Sequence, residues 1–168
     1  MGDCKLSATS YTYNGSVKTP TVTAKNASGA TLTKDASYTV TYASGRKNVG
    51  TYTVTIKGKG NYTGTKTLTF KIVPKAPSIN TLTAKTKALS VKLNKQTTQT
   101  SGYEIQYATN KSFTSAKTAT ITSTSTTTKT LSNLKAKTTY YVRVRAYKTV
   151  SGAKIYSNWS TAKYMKTK

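Results

Sequence analysis

The sequence is short of nearly everything that catalysis needs. It contains no histidine, three acidic residues (Asp3, Asp35 and Glu104) and one cysteine, Cys4. Acid–base catalysis and metal binding each call for several such groups in one place, so a carboxylate dyad, a His-dependent triad or a Cys/His/Asp/Glu metal cluster is excluded at the outset. Cys4 is the one conceivable nucleophile, and no imidazole exists to generate its thiolate. No catalytic residue, metal or cofactor is expected, and the chain reads as a non-enzyme. A lone cysteine also rules out an intrachain disulfide, leaving the fold to packing alone. There is no run of about 18 apolar residues, so membrane insertion by a helix is not expected. The opening Met1-Gly2-Asp3 lacks the apolar stretch of a signal peptide. If the parent is exported, the chain is expected to be a monomeric fragment of a longer multidomain protein.

The shortage of acids leaves 27 Lys plus Arg against 3 Asp plus Glu, a net charge of +24. Such a balance points toward polyanions. The lysines, however, are scattered singly among Thr and Ser, with no block of five or six, and the only arginines are Arg46, Arg143 and Arg145. Sequence-specific nucleic-acid readers rely on Arg clusters or aromatic stacking motifs. No specific nucleic-acid partner is therefore expected; a basic, solvated surface or attraction to cell-wall polymers or glycans remains.

What the sequence has in plenty is Thr, Ser and Tyr, which favour strands over helices. Its 168 residues suffice for one large domain or two of about 80 to 90 residues. Period-two alternation dominates: Tyr38, Val40, Tyr42; Tyr52, Val54, Ile56; Leu68, Phe70, Ile72; then Leu89, Val91, Leu93; Tyr103, Ile105, Tyr107; Ala119, Ile121; and Tyr140, Val142, Val144, Ala146. Turn chemistry separates these runs, as at Asn14-Gly15 and Gly58 to Gly64. Two prolines three residues apart, Pro74 and Pro77, mark a short stiff linker over 74–77. The expected architecture is all-β, with two tandem antiparallel β domains over 1–73 and 78–168. Ser123 to Thr130 is a Ser/Thr tract that reads as an edge strand rather than a disordered linker.

The second half resembles the fibronectin type III family, an immunoglobulin-like sandwich, over nearly all of Pro77 to Lys168. Leu134-Lys-Ala-Lys-Thr-Thr-Tyr140-Tyr-Val-Arg-Val-Arg-Ala146 carries the likeness, with a Leu six residues before the Tyr of a tyrosine corner. Ser101 to Tyr107 and Tyr156-Ser-Asn-Trp-Ser160 support it. Where the family usually has a Trp in its second strand, Leu93 or its neighbour stands here. The first half resembles bacterial cell-surface Ig-like repeats of the MBG type, found in extracellular proteins of Gram-positive gut bacteria. That likeness rests on Tyr11 to Gly15, Lys18 to Val22, Asp35 to Tyr42, Asn48 to Ile56 and Gly58 to Gly64. The two resemblances imply a secreted or cell-surface setting.

Alternation along Tyr140 to Ala146 places Tyr141, Arg143, Arg145 and Tyr147 on the outer sheet face. These four and Trp159 form the candidate ligand-binding stripe, since aromatic faces stack on sugars and guanidinium forks onto carboxylate or phosphate. The plainer reading is an ordinary exposed sheet face, with Trp159 as a partly buried cap over the end of the sandwich. Glu104 is expected to pair across strands with Arg143 or Arg145 as an exposed ion pair. A Lys–Asn isopeptide bond would need a buried carboxylate, for which Asp35 is taken as the candidate in the first domain. The leading expectation is a structural spacer or stalk; the alternatives are a binding module for glycan or anionic cell-wall polymer, or accessory domains of a secreted hydrolase.

Overall fold

The computed structural model describes residues 1–168 and contains strands, turns and loops. The chain divides into two compact units, Met1–Ile72 and Val73–Lys168.

In the first unit the strands are β1 (Cys4–Leu6), β2 (Ser10–Thr12), β3 (Val22–Ala24), β4 (Tyr38–Tyr42), β5 (Gly50–Gly58) and β6 (Thr65–Val73). They form a four-stranded sheet in the order β2-β6-β5-β4 and a two-stranded sheet of β1 and β3. Register follows the alternation: Val40 lies opposite Ile56, Val54 opposite Leu68 and Tyr52 opposite Phe70. Inward residues of both sheets, among them Ala24, Tyr38, Val54, Ile56, Phe70 and Ile72, make one core, against which Tyr62 packs from its loop. The Asn14-Gly15 turn forms as expected, with Gly15 at φ 79° and Asn14 Oδ1 accepting from Ser16 N–H at 3.0 Å.

The second unit holds β7 (Ile79–Lys85), β8 (Ala88–Leu93), β9 (Gly102–Ala108), β10 (Lys117–Ile121), β11 (Thr128–Leu131), β12 (Thr139–Val150), β13 (Ala153–Tyr156) and β14 (Lys163–Lys166). One sheet runs β11-β8-β7; the other runs β10-β9-β12-β13, with β14 also on β12. The two inner faces meet in a core that includes Leu89, Val91, Leu93, Tyr103, Ile105, Val142 and Val144. Leu93, which with its neighbour stands where the resembled family usually has a Trp, is 2% exposed. Ser151 and Gly152, at φ 48° and 80°, make the two-residue turn between β12 and β13; left-handed angles at both positions match the twist of the flanking strands.

The Ser/Thr tract is a strand only from Thr128 onward. Ser123 and Ser125 hydroxyls bond each other at 2.7 Å, and Ser125 N–H donates to Ser123 Oγ at 3.3 Å. This local side-chain turn competes with the ladder and keeps 123–127 as a loop.

Candidate functional site

The tyrosine corner of the second unit, between β11 and β12, forms where the sequence places it. Tyr140 is buried, and its hydroxyl accepts from Lys135 N–H at 3.1 Å, pinning the loop before β12 to the first residues of that strand. Buried Thr167 holds the same corner from the other side: its hydroxyl donates to Lys135 O at 2.6 Å and accepts from Thr138 N–H at 3.0 Å.

From that anchor the β12 register is set. Arg143 lies opposite Gln106 and Arg145 opposite Glu104 on β9. Arg145 Nε and Nη2 both reach Glu104 Oε1, at 2.9 and 2.5 Å, and Arg143 Nε donates to Gln106 Oε1 at 2.7 Å. The pairing expected for Glu104 is present, with a correction to its setting. The side chains are 25% and 12% exposed, so this is a largely desolvated pair, not a surface one.

Its shelter comes from aromatic rings. Arg145 Cζ sits 3.7 Å from the Tyr156 ring centroid and 4.3 Å from that of Trp159; Arg143 Cζ sits 4.8 Å from Trp159 and 4.1 Å from Phe113. The result is a ladder in the order Tyr156, Arg145, Trp159, Arg143, Phe113. Each cation–ring contact contributes about 0.5 to 2 kcal/mol, more as water is excluded. Burial, with a smaller push from Arg145, lowers the pKa of Arg143. Burial raises that of the Tyr156 phenol, and the charge and hydrogen bond of Glu104 add to the rise.

Two serines put Trp159 in place. β13 and β14 leave a gap over 157–162, and there Ser157 N–H donates to Ala146 O while its Oγ accepts from Ala146 N–H, both at 2.9 Å. Ser160 does the same for Val144, at 2.7 Å through its N–H and 3.1 Å through its Oγ. Side-chain oxygens thus replace a missing stretch of strand ladder, and Trp159, between the two serines, is held over the arginines. The expectation that Trp159 caps the end of the sandwich is therefore wrong: it lies on the outer face of the sheet, because these serines dock the segment against mid-β12.

The candidate stripe divides accordingly. Arg143, Arg145 and Trp159 come together. Tyr147 faces outward by parity yet is 4% exposed, so it is not an exposed ligand contact. It lies over Gly102, directly opposite on β9, with Tyr156 at 6.1 Å and Lys154 Nζ 4.3 Å from its ring centroid. A side chain at 102 would leave no room, since a Cβ there would fall 2.6 Å from the Tyr147 hydroxyl and 2.3 Å from Ile121 O. Tyr141 stands apart, paired at 5.7 Å with Tyr164, which is 68% exposed. Phe113 and Tyr156 complete the ladder without having been singled out as site residues. Tyr156 stood three residues before Trp159 within the quoted motif, whereas Phe113 sits in a loop at φ 58° and carries no sequence signal.

No group of three or more His, Cys, Asp or Glu converges to hold a metal ion. Cys4 is buried, which pushes its thiol pKa up, away from nucleophilic reactivity. Asp35 is 72% exposed and pairs with Lys34 at 3.2 Å, so it cannot serve as the buried carboxylate of an isopeptide bond.

The two-sheet order, the tyrosine corner and the paired strands β9 and β12 agree with a match of residues 72–163 to the fibronectin type III domain model. The chain belongs to the fibronectin type III family. Fibronectin type III domains are typically non-catalytic modules with structural or binding roles. Among solved structures, the chain is similar to the FN1-FN3 domains of chicken CNTN1, at 22% identity and a TM-score of 0.45 over 71% of this chain. It spans 43% of the length of that FN1-FN3 chain. A structure described as a myokine matches 56% of this chain and 97% of its own at 22% identity, with a TM-score of 0.44. No curated protein matches the sequence.

Proposed function

We propose that the chain is a pair of non-catalytic spacer modules from a secreted or cell-surface bacterial protein, holding other parts of that protein at a distance from the cell wall. The bacterial setting rests on the likeness of the first half to surface repeats of the MBG type. The observation that carries the spacer reading is the ladder. The densest set of chemically capable side chains is turned on itself, each guanidinium held between two rings and hydrogen-bonded to Glu104 or Gln106. Such an arrangement clamps β9, β12 and the 157–162 segment to one another and leaves little of the stack for a ligand. Lysines at outward positions keep the Thr-rich strands soluble and discourage edge-to-edge pairing.

A second reading, binding of a glycan or anionic wall polymer, is favoured by one feature, the exposed Tyr164 ring beside Tyr141. Retention on columns of anionic and of neutral cell-wall glycan at about 0.15 M salt, where bulk charge is screened beyond roughly 8 Å, separates the two. The spacer reading expects Trp159→Ala to lower the melting temperature and leave retention as in the wild type. Retention that falls with Trp159→Ala or Tyr164→Ala while folding is intact would overturn it in favour of a binding face.

A further inference from the structure

A second feature of the same unit lies away from the ladder. Between the ends of β9, β10 and β12 and the loops over 109–115 and 133–135, a cavity of about 430 Å³ opens. Tyr107 and Tyr140, with ring centroids 6.5 Å apart, form its aromatic wall, and Ser115, Lys117, Asn133 and Lys135 line it with polar groups. The volume lies in the range of small-molecule sites and would hold one or two sugar rings.

The placement of Lys117 is out of pattern. On β10 it shares a face with Ala119 and Ile121, the inward-facing residues, and it lies opposite Tyr107 in the ladder with β9. By parity it continues the inward row, but at the end of the strand it is exposed, which brings a cation to the mouth of the cavity. Lys135 adds a second from the loop between β11 and β12, and no carboxylate lines the cavity to neutralise either. The one acid of this unit, Glu104, is engaged with Arg145. Ser115 and Asn133 both hold left-handed backbone, at φ 53° and 57°, a conformation that costs free energy in non-glycine residues and recurs at ligand sites.

We infer that this cavity binds a hexose-sized sugar ring carrying an anionic substituent. The apolar face of the ring stacks on Tyr107, its hydroxyls meet Ser115 and Asn133, and its carboxylate or phosphate lies between Lys117 and Lys135. This goes beyond the spacer reading, which it would leave standing if it failed. The rival explanation is that Lys117 merely guards the free edge of β10 against pairing with another strand.

Amide chemical-shift mapping of the full chain, titrated with glucuronic acid, glucose 6-phosphate and glucose at about 0.15 M salt, distinguishes them. The expected result is saturable shifts confined to residues 107–117 and 133–140 for one or both acidic sugars, the responder identifying the anion. Glucose should bind at least about tenfold more weakly, the fold-change of a single charge-assisted bond. Replacing Lys117→Gln together with Lys135→Gln should weaken the acidic sugar about tenfold. Lys85→Gln together with Lys92→Gln, an equal charge change on the opposite sheet, should leave binding as it was. Equal affinity for glucose, shifts that scatter over lysines without saturating, or wild-type binding by the double variant would overturn the assignment.

Discussion

In Met1–Ile72 strand and loop carbonyls are held by tyrosine hydroxyls, whereas in Val73–Lys168 the outer sheet face is clamped by guanidinium groups stacked on rings. Tyr38 donates to Val22 O at 3.1 Å, Tyr42 to Pro20 O at 2.7 Å, and Tyr52 to both Gly45 O and Asn48 O at 2.9 Å. Each phenol packs its ring in or near the core and donates its hydroxyl to a backbone carbonyl of another segment. The first unit also has an arginine over a ring, Arg46 above Tyr42 at 5.2 Å, with Nη1 donating to Ala43 O at 3.1 Å. No carboxylate stands beside it, and its Nε is buried without a hydrogen-bond partner. Arg145, by contrast, has Glu104. The difference shows what a single acid can do in a chain with three of them: it turns a half-buried arginine from a cost into the centre of a framework.

The sharpest way to break the comparison is to disturb the floor under the clamp. Gly102→Ala forces a methyl group against Ile121 O and the Tyr147 hydroxyl, so about 1 to 3 kcal/mol of stability should be lost from the second unit, as read by urea unfolding. A loss within about 0.5 kcal/mol would mean that Tyr147 is free to move aside.

A smaller effect should come from alkali. Burial raises the pKa of the Cys4 thiol and of the Tyr38 and Tyr52 phenols in the first unit, and of Tyr156 in the second. An acid whose pKa is raised by folding keeps its proton longer in the folded chain than in the unfolded one. Its contribution is therefore complete below the unfolded value and is lost as pH rises through the folded value. The first unit holds three such groups, Cys4 having the lowest ordinary value, so it should loosen first between about pH 8 and about pH 11. Methyl resonances of Val54 and Ile56 should broaden before those of Val142 and Val144; the reverse order would contradict this ranking.

Smallest of all should be Arg46→Met. The substitution gives up one backbone bond and a ring contact but also removes a buried donor that has no partner, so the net change should stay below about 1 kcal/mol. A larger loss would show that the first unit relies on its arginine as the second does.

Much of this was legible in the sequence because strands of period two fix which residues share a face. Tyr103, Ile105, Val142 and Val144 point inward for that reason, and the same parity brings Glu104 to Arg145. The tyrosine corner was legible too, since Leu134 and Tyr140 act over a short span. What parity does not contain is the space above a residue. Tyr147 is buried because its cross-strand neighbour is a glycine, a fact of register between segments 45 residues apart. Trp159 reaches the sheet face through serine side chains that imitate a strand, and Phe113 arrives from a loop with a left-handed turn. These depend on three-dimensional docking, which alternation does not record.

The ladder's role as an internal clamp is tested most directly by urea unfolding of Arg145→Met against the wild type. Removing the guanidinium strands Glu104 in a site where its side chain is 12% exposed and takes away the contacts to Tyr156 and Trp159. Breaking a largely buried pair from one side should lower the unfolding free energy by about 2 to 4 kcal/mol. A variant within about 0.5 kcal/mol of the wild type would contradict the clamp and return these side chains to the surface as candidates for binding.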